Sequence, residues 1–172
     1  MEASGSGTQP VVREVRETDQ GEVHDILMSP HVLAGSMRVP HSRLEMTRAR
    51  LNQGAGVHQV VAEVDGHVIG FGELITEPDE PRQSHVGDIN MVATRADRQG
   101  QGVGRAVAEA LVDLGFNWLN LSRLGLIVFT DNGAAIKLYE SLGFEIEGTM
   151  PRLGFGAGEW MDAHMMGLLR DP

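Results

Sequence analysis

Residues 98–105 read Arg-Gln-Gly-Gln-Gly-Val-Gly-Arg, between an almost uncharged β-type stretch and a strongly amphipathic helical one. No other feature of the chain constrains its fold as tightly. Glycine lets the backbone take left-handed conformations and approach a ligand closely, and the first turn of a helix carries N–H groups without intrahelical partners. Added to the positive end of the helix dipole, this makes a strand, Gly-rich turn and helix a natural holder for a phosphate. Arg95, Arg98 and Arg105 gather around the turn, although acidic side chains outnumber basic ones 24 to 14 in the whole chain. The local reversal of sign favours a bound anion. A tight connection with solvated arginines is the plainer alternative.

Two other phosphate motifs fail on spacing. A dinucleotide fingerprint G-x-G-x-x-G needs a glycine where Arg105 or Val107 stands. A G-x-x-x-x-G-K-[ST] loop needs Lys after Gly, and the single lysine, Lys137, follows Ile136. With no Cys, disulfides and thiolate catalysis are excluded. The seven His form no H-E-x-x-H and no i, i+4 pair, so no metal site is expected. A net charge of −10 argues against nucleic acid or an anionic membrane as partner. No apolar run approaches a membrane-spanning length and residues 1–10 lack the layout of a signal peptide, so a cytoplasmic location is expected.

Residues 1–10, rich in Gly and Ser, read as a disordered tail, and 11–172 as a single domain. A short strand over 11–16 precedes helices over 18–28, stopped by Pro30, and 42–51. Val-rich 57–64, Asp65-Gly66 and 67–76 predict a hairpin with a two-residue type I′ turn. A strand over 85–93, a helix over 102–118, a strand over 124–130 and a helix over 132–142 follow. Strands over 144–149 and 160–168, joined by a Gly-rich loop, end the chain. An apolar stripe from Val103 through Val107 and Leu111 to Trp118 marks the third helix. Antiparallel pairing first and β-α-β-α-β afterwards predict an α/β class: a mixed, twisted sheet with helices on both faces.

Gln99-x-x-Gly102-x-Gly104, with Asn132-x-x-Ala135-x-x-x-Tyr139-x-x-x-Gly143-Phe144 in the right order behind it, resembles the signature of the GNAT N-acetyltransferase superfamily. The resemblance runs from about residue 11 to 170. Val39-Pro40-His41, Ser84-His85-Val86-x-Asp88 and Phe129-x-Asp131-Asn132 are similar to the bacterial YhhY-type branch, which acetylates amino acids and amino-acid-like compounds. It implies the GNAT fold, about seven strands flanked by about four helices, with acetyl-CoA as cosubstrate and a small-molecule amine as acceptor. A homodimer is compatible with that branch. Acetylation of a polyamine or a peptide N-terminus, or a non-catalytic acetyl-CoA-binding module, are the alternatives. By the same resemblance Gln99, Gly100, Gln101, Gly102, Val103, Gly104 and Arg105 cradle the pyrophosphate, the backbone of Met91, Val92 and Ala93 pairs with the pantetheine arm, and Asn132 holds the cofactor across the cleft.

Acetyl transfer to an amine needs a neutral amine, a stabilised oxyanion and a proton for the departing thiolate. Tyr139, the only Tyr, lies seven residues after Asn132, so both project from one helical face. With an ordinary pKa of about 10 it is a candidate acid; a core aromatic is the alternative. Under period 2, Val86, Asp88, Asn90 and Val92 share a strand face, which makes Asp88 the candidate base, through water, or else an anchor for the amine. His85 is its rival. Glu73, Glu77, Asp79 and Glu80 form an acidic cluster that could attract an ammonium group, with a solvated loop as the plainer reading, and Arg152 with residues 154–158 could bind a carboxylate. Met161, Met165 and Met166 read as core.

Overall fold

The computed structural model describes residues 9–51 and 54–170, so most of the expected tail and the Asn52-Gln53 exit of a helix lie outside the described residues. Seven strands form one sheet in the order β1-β2-β3-β4-β5-β7-β6, with β1 Val11–Glu14, β2 Val57–Val64, β3 His67–Thr76, β4 Val86–Thr94, β5 Arg123–Phe129, β6 Glu145–Gly156 and β7 Glu159–Leu169. Only the β4–β5 pair is parallel, so the sheet is mixed, as the element order requires. Asp65 and Gly66 both have positive φ, 52° and 78°, which gives the hairpin the twist its strands need.

Helices cover both faces. On one, α1 Gln20–Leu27 and α2 Pro30–Ala34 bury Val23, Ile26, Leu27 and Val32 against Val61, Val68, Phe71 and Ala93. On the other, α4 Val103–Asp113 packs Val107, Ala108 and Leu111, and α5 Gly133–Ser141 packs Tyr139, against Ala62, Leu74, Leu124 and Leu126. The stretch α3 Leu44–Leu51 lies beside α1. Helix α4 comes very close to β3: a methyl group at Gly72 would run into Val107.

The expected elements are present with three differences. Pro30 opens α2 instead of only ending the helix before it, because proline's missing N–H costs nothing in a first turn. The helix after the Gly turn widens into a π-helical stretch, Leu114–Trp118, which carries Trp118 off the apolar stripe to 77% exposure. The last strands are longer than expected, leaving only Ala157 and Gly158 as their turn.

Asp19 organises the first helical segment. Its carboxylate accepts from the Arg16 N–H at 2.7 Å and from both terminal nitrogens of Arg13 at 2.7 and 3.0 Å, and Arg13 also binds Glu63. The hydrogen bonds from Arg13 hold the buried Asp19 carboxyl below the usual range, against the opposing effect of burial. A depressed folded pKa means that the unfolded chain takes up the proton first. Its stabilisation is therefore complete above about pH 4 and is lost as pH falls through the lower folded value. Asp19→Asn is expected to cost about 2 kcal/mol at pH 7 by leaving Arg13 with Glu63 as its one charged partner among the described residues. Urea melts at pH 7 and pH 3 check this: the deficit should shrink at the lower pH.

Candidate functional site

Strands β4 and β5 are paired only at Val86↔Arg123, Gly87↔Leu124 and Asp88↔Gly125; beyond that rung they part. A β-bulge at Asn90 lies just past it, since Glu73 of β3 faces Met91 while Leu74 faces Ile89. The extra residue puts Asn90 and Met91 on the same side and resets the alternation. As a result Val92 joins Ile89 on the α4 face, and Met91 joins Ala93 on the α1 face. The period-2 expectation that Val92 shares a face with Asp88 is thereby overturned. What the splay leaves is an unpaired edge of backbone at 89–93, set in the floor of a cleft.

Two cavities open along that cleft. The outer one, about 620 Å³, is lined by Met91, Val92 and Ala93 on one side and by Asn132, Ala135 and Tyr139 on the other. Gln99, Gly100, Gly102, Val103, Gly104 and Arg105 close its end. Gly102 is the N-cap of α4 at φ 83°, a conformation that strains any residue with a side chain, and among the described residues no side chain caps the helix. The first-turn N–H groups are thus left facing the cavity. Arg98 also lines it, with a buried Nε that has no hydrogen-bond partner among the described residues. An orphaned guanidinium nitrogen beside an uncapped helix start fits an anionic ligand. These residues fit the diphosphate of acetyl-CoA, and the free strand edge fits its amide-bearing arm.

Not every expected contact points there. Gln101 is the exception among the turn residues: its side-chain amide donates to the Asp97 carbonyl at 3.1 Å, and the residue does not line the cavity. Of the three arginines, Arg95 is occupied by Asp97 at 2.7 Å and stays outside. Arg105 donates to Ser141 at 2.6 Å, tying α4 to α5.

The inner cavity, about 500 Å³, lies where β4 and β5 diverge and is floored by Asp88, Gly125, Ile127 and Met165. It meets the outer one at Met91, Val92, Asn132, Ala135 and Tyr139. Tyr139 is only 8% exposed and packs edge-on against Phe144, with ring centroids 5.7 Å apart. Its hydroxyl makes no hydrogen bond to a described residue. Burial pushes its pKa up to about 12, above the ordinary value assumed from sequence. Asp88 makes no side-chain hydrogen bond among the described residues, and a methyl group on Gly125 would come 2.5 Å from its Oδ1.

The remaining candidates take other places. Glu73 is no exposed ammonium lure: it is 2% exposed and accepts from Arg50 at 2.6 Å, Gln59 at 2.6 Å and Asn90 at 2.6 Å. Glu77, Asp79 and Glu80 stay on an exposed loop away from both cavities. Arg152 is exposed, with its N–H donated to Asp162 at 2.8 Å, and Gly154 is buried against Phe129, so neither reaches the cavity. His85 is exposed and serves through its carbonyl, which accepts from Ser122 and Arg123 at the start of β5. Met166 is core, but Met165 is 41% exposed and lines the inner cavity. The residues that sequence reasoning missed are Arg38, Arg50 and Arg123 on the inner cavity and His31 on the outer one, where its Nε2–H donates to the Thr94 carbonyl at 2.8 Å.

Comparison with known proteins identifies the family and the fold. The family described as Acetyltransferase (GNAT) family matches residues 18–144. The chain is 35% identical over 156 residues to the L-amino acid N-acetyltransferase AaaT of Escherichia coli (strain K12), covering 91% of this chain and 95% of the relative. It is 31% identical over 163 residues to the phosphinothricin N-acetyltransferase of Alcaligenes faecalis, covering 90% and 80%. Among solved structures it is similar to spermidine N-acetyltransferase from Vibrio cholerae in complex with CoA and spermine, with a TM-score of 0.83 at 23% identity over 95% of this chain and 96% of that one.

Proposed function

The chain belongs to the GNAT acetyltransferase family and is an N-acetyltransferase, and we propose that it transfers acetyl from acetyl-CoA directly to the primary amine of a small cytoplasmic molecule, an amino acid or amino-acid-like compound. One observation carries this reading: an anion-ready outer cavity and an inner cavity that holds Asp88 and three arginines meet at Tyr139. A cosubstrate filling the first would present its reactive end to an acceptor in the second.

Bound acetyl-CoA supplies a thioester whose carbonyl carbon forms the new C–N bond as the C–S bond breaks, giving an amide and a thiol. Tyr139 lends its phenolic proton to the sulfur. Asp88, at the last paired rung of β4, takes a proton from the incoming ammonium, directly or through water. The nitrogen gives up a second proton as the amide forms, which restores the phenol of Tyr139; Asp88 passes its proton to solvent, so each turnover releases one proton. No covalent enzyme intermediate is needed, and with no Cys none on a thiol can form.

The test is release of free thiol from acetyl-CoA across free amino acids, polyamines, aminoglycosides and peptides with free N-termini. The chain contributes no thiol of its own, so a thiol reagent reads turnover without background. Fastest turnover is expected with a free amino acid. Acetyl-CoA binding without thiol release on any amine would turn the reading into a non-catalytic binding module.

A further inference from the structure

Apart from Tyr139, four ionisable side chains line the inner cavity: Arg38, Arg50, Asp88 and Arg123. Two of the arginines are already spent. Arg50 donates through two nitrogens to buried Glu73, at 2.6 and 3.2 Å, and Arg123 is paired with Glu147. Arg38 is different. Its Nε is buried without a hydrogen-bond partner, and its guanidinium forms no ion pair with a described residue. Burial first, and then the nearby charge of Arg50, push its pKa below the ordinary guanidinium value, while Glu73 acts in the opposite direction. A half-buried guanidinium whose Nε is left unpaired is costly unless a ligand completes it.

Resting on the acetyl-transfer reading, we propose that Arg38 is the specificity residue that takes the acceptor's carboxylate, with Asp88 receiving its ammonium. The cavity then offers one open cation and one open anion, the complement of a zwitterion. A planar guanidinium suits a carboxylate's two oxygens, whereas an amide or ester offers no negative charge. A polyamine fits badly, because its second ammonium would meet three arginines and no spare carboxylate. A peptide N-terminus fits badly as well, since its α-carboxylate has become an amide.

The experiment measures kcat/KM by thiol release for leucine, leucinamide, isoamylamine and spermidine, which differ in the group beside the amine. Leucine is expected to exceed leucinamide by about 100-fold, in keeping with sites whose polar groups are left unpaired by the wrong substrate. Arg38→Gln should shrink that ratio to below about fivefold, mainly through a higher KM for leucine, and Arg38→Lys should give a value in between. Acetyl-CoA binding serves as the check that each variant is folded; should Arg38→Gln fail it, the wild-type series and Arg38→Lys decide. Comparable turnover of leucine, its amide and spermidine by the wild type would overturn the assignment and leave acetyl transfer standing, as would an Arg38→Gln enzyme that keeps the full ratio. Absence of thiol release with every amine would instead overturn the acetyl-transfer reading, and this assignment with it.

Discussion

Tyr139→Phe is expected to lower kcat by about 10³-fold while changing the KM for acetyl-CoA less than about twofold, the size of effect typical of a lost general acid. The substitution removes one oxygen and keeps the edge-on packing on Phe144. Because that oxygen makes no hydrogen bond to a described residue, its loss strands no partner, and stability should change by less than about 0.5 kcal/mol. A collapse of the fold would therefore not account for the lost rate. The pH dependence gives a second reading. With its pKa pushed up to about 12, the phenol keeps its proton across the working range, so kcat should show no alkaline fall from this group below about pH 11. A fall setting in near pH 10 would mean an ordinary, solvated tyrosine.

A phenol at about 12 is a weak donor toward an ordinary thiolate at about 8.5, a gap of roughly 5 kcal/mol if the proton had to move completely. The same burial changes the terms. Sulfur charge developing in that poorly solvated pocket is itself destabilised, which brings the two affinities together. Tyr139 then acts through a hydrogen bond that strengthens as the C–S bond stretches, an interaction made in the transition state and not before it. A Tyr139→Phe enzyme with unchanged kcat from pH 6 to 10 would remove the residue from the chemistry.

Much of this was legible in local pattern. The hairpin of β2 and β3 has the bounds its Val-rich runs and Asp65-Gly66 imply, because turn type and register are local properties. The Gly turn likewise announces itself, since positive φ and an uncapped helix start leave a mark in residue types. The bulge at Asn90 leaves no such mark. It is an event between two strands, and reading β4 by unbroken alternation misplaced Val92. Glu73 looked like one member of an exposed acidic cluster, yet Arg50, 23 residues away, makes it a buried partner. Arg38 belongs to no motif at all. Its meaning comes from what the fold gives its neighbours, which occupies Arg50 and Arg123 and leaves Arg38 open.

Asp88→Asn should cost about 100-fold in kcat at pH 7 and progressively less toward pH 9.5, where more of the amine arrives already neutral. Asp88 stands on the last rung at which β4 and β5 are hydrogen-bonded, so its backbone is fixed while its side chain opens into the space the strands leave. Arg123, from the facing strand, lies near enough for the charge of Asp88 to help raise its pKa, behind the larger effect of Glu147. A carboxylate held there has both a rigid base and a polar neighbourhood. Gly125→Ala probes the same point without removing charge: the new methyl group crowds Asp88 Oδ1 and should lower kcat about 10-fold by displacing it. If Asp88 only anchored the acceptor, Asp88→Asn would raise the acceptor's KM and spare kcat. If the base were His85, His85→Ala would abolish the acidic limb of the pH profile; its exposed position outside the cavity leads us to expect that limb intact. A fall in kcat that is largest at low pH in Asp88→Asn, partly reproduced by Gly125→Ala and absent in His85→Ala, is the pattern that only proton acceptance at Asp88 gives.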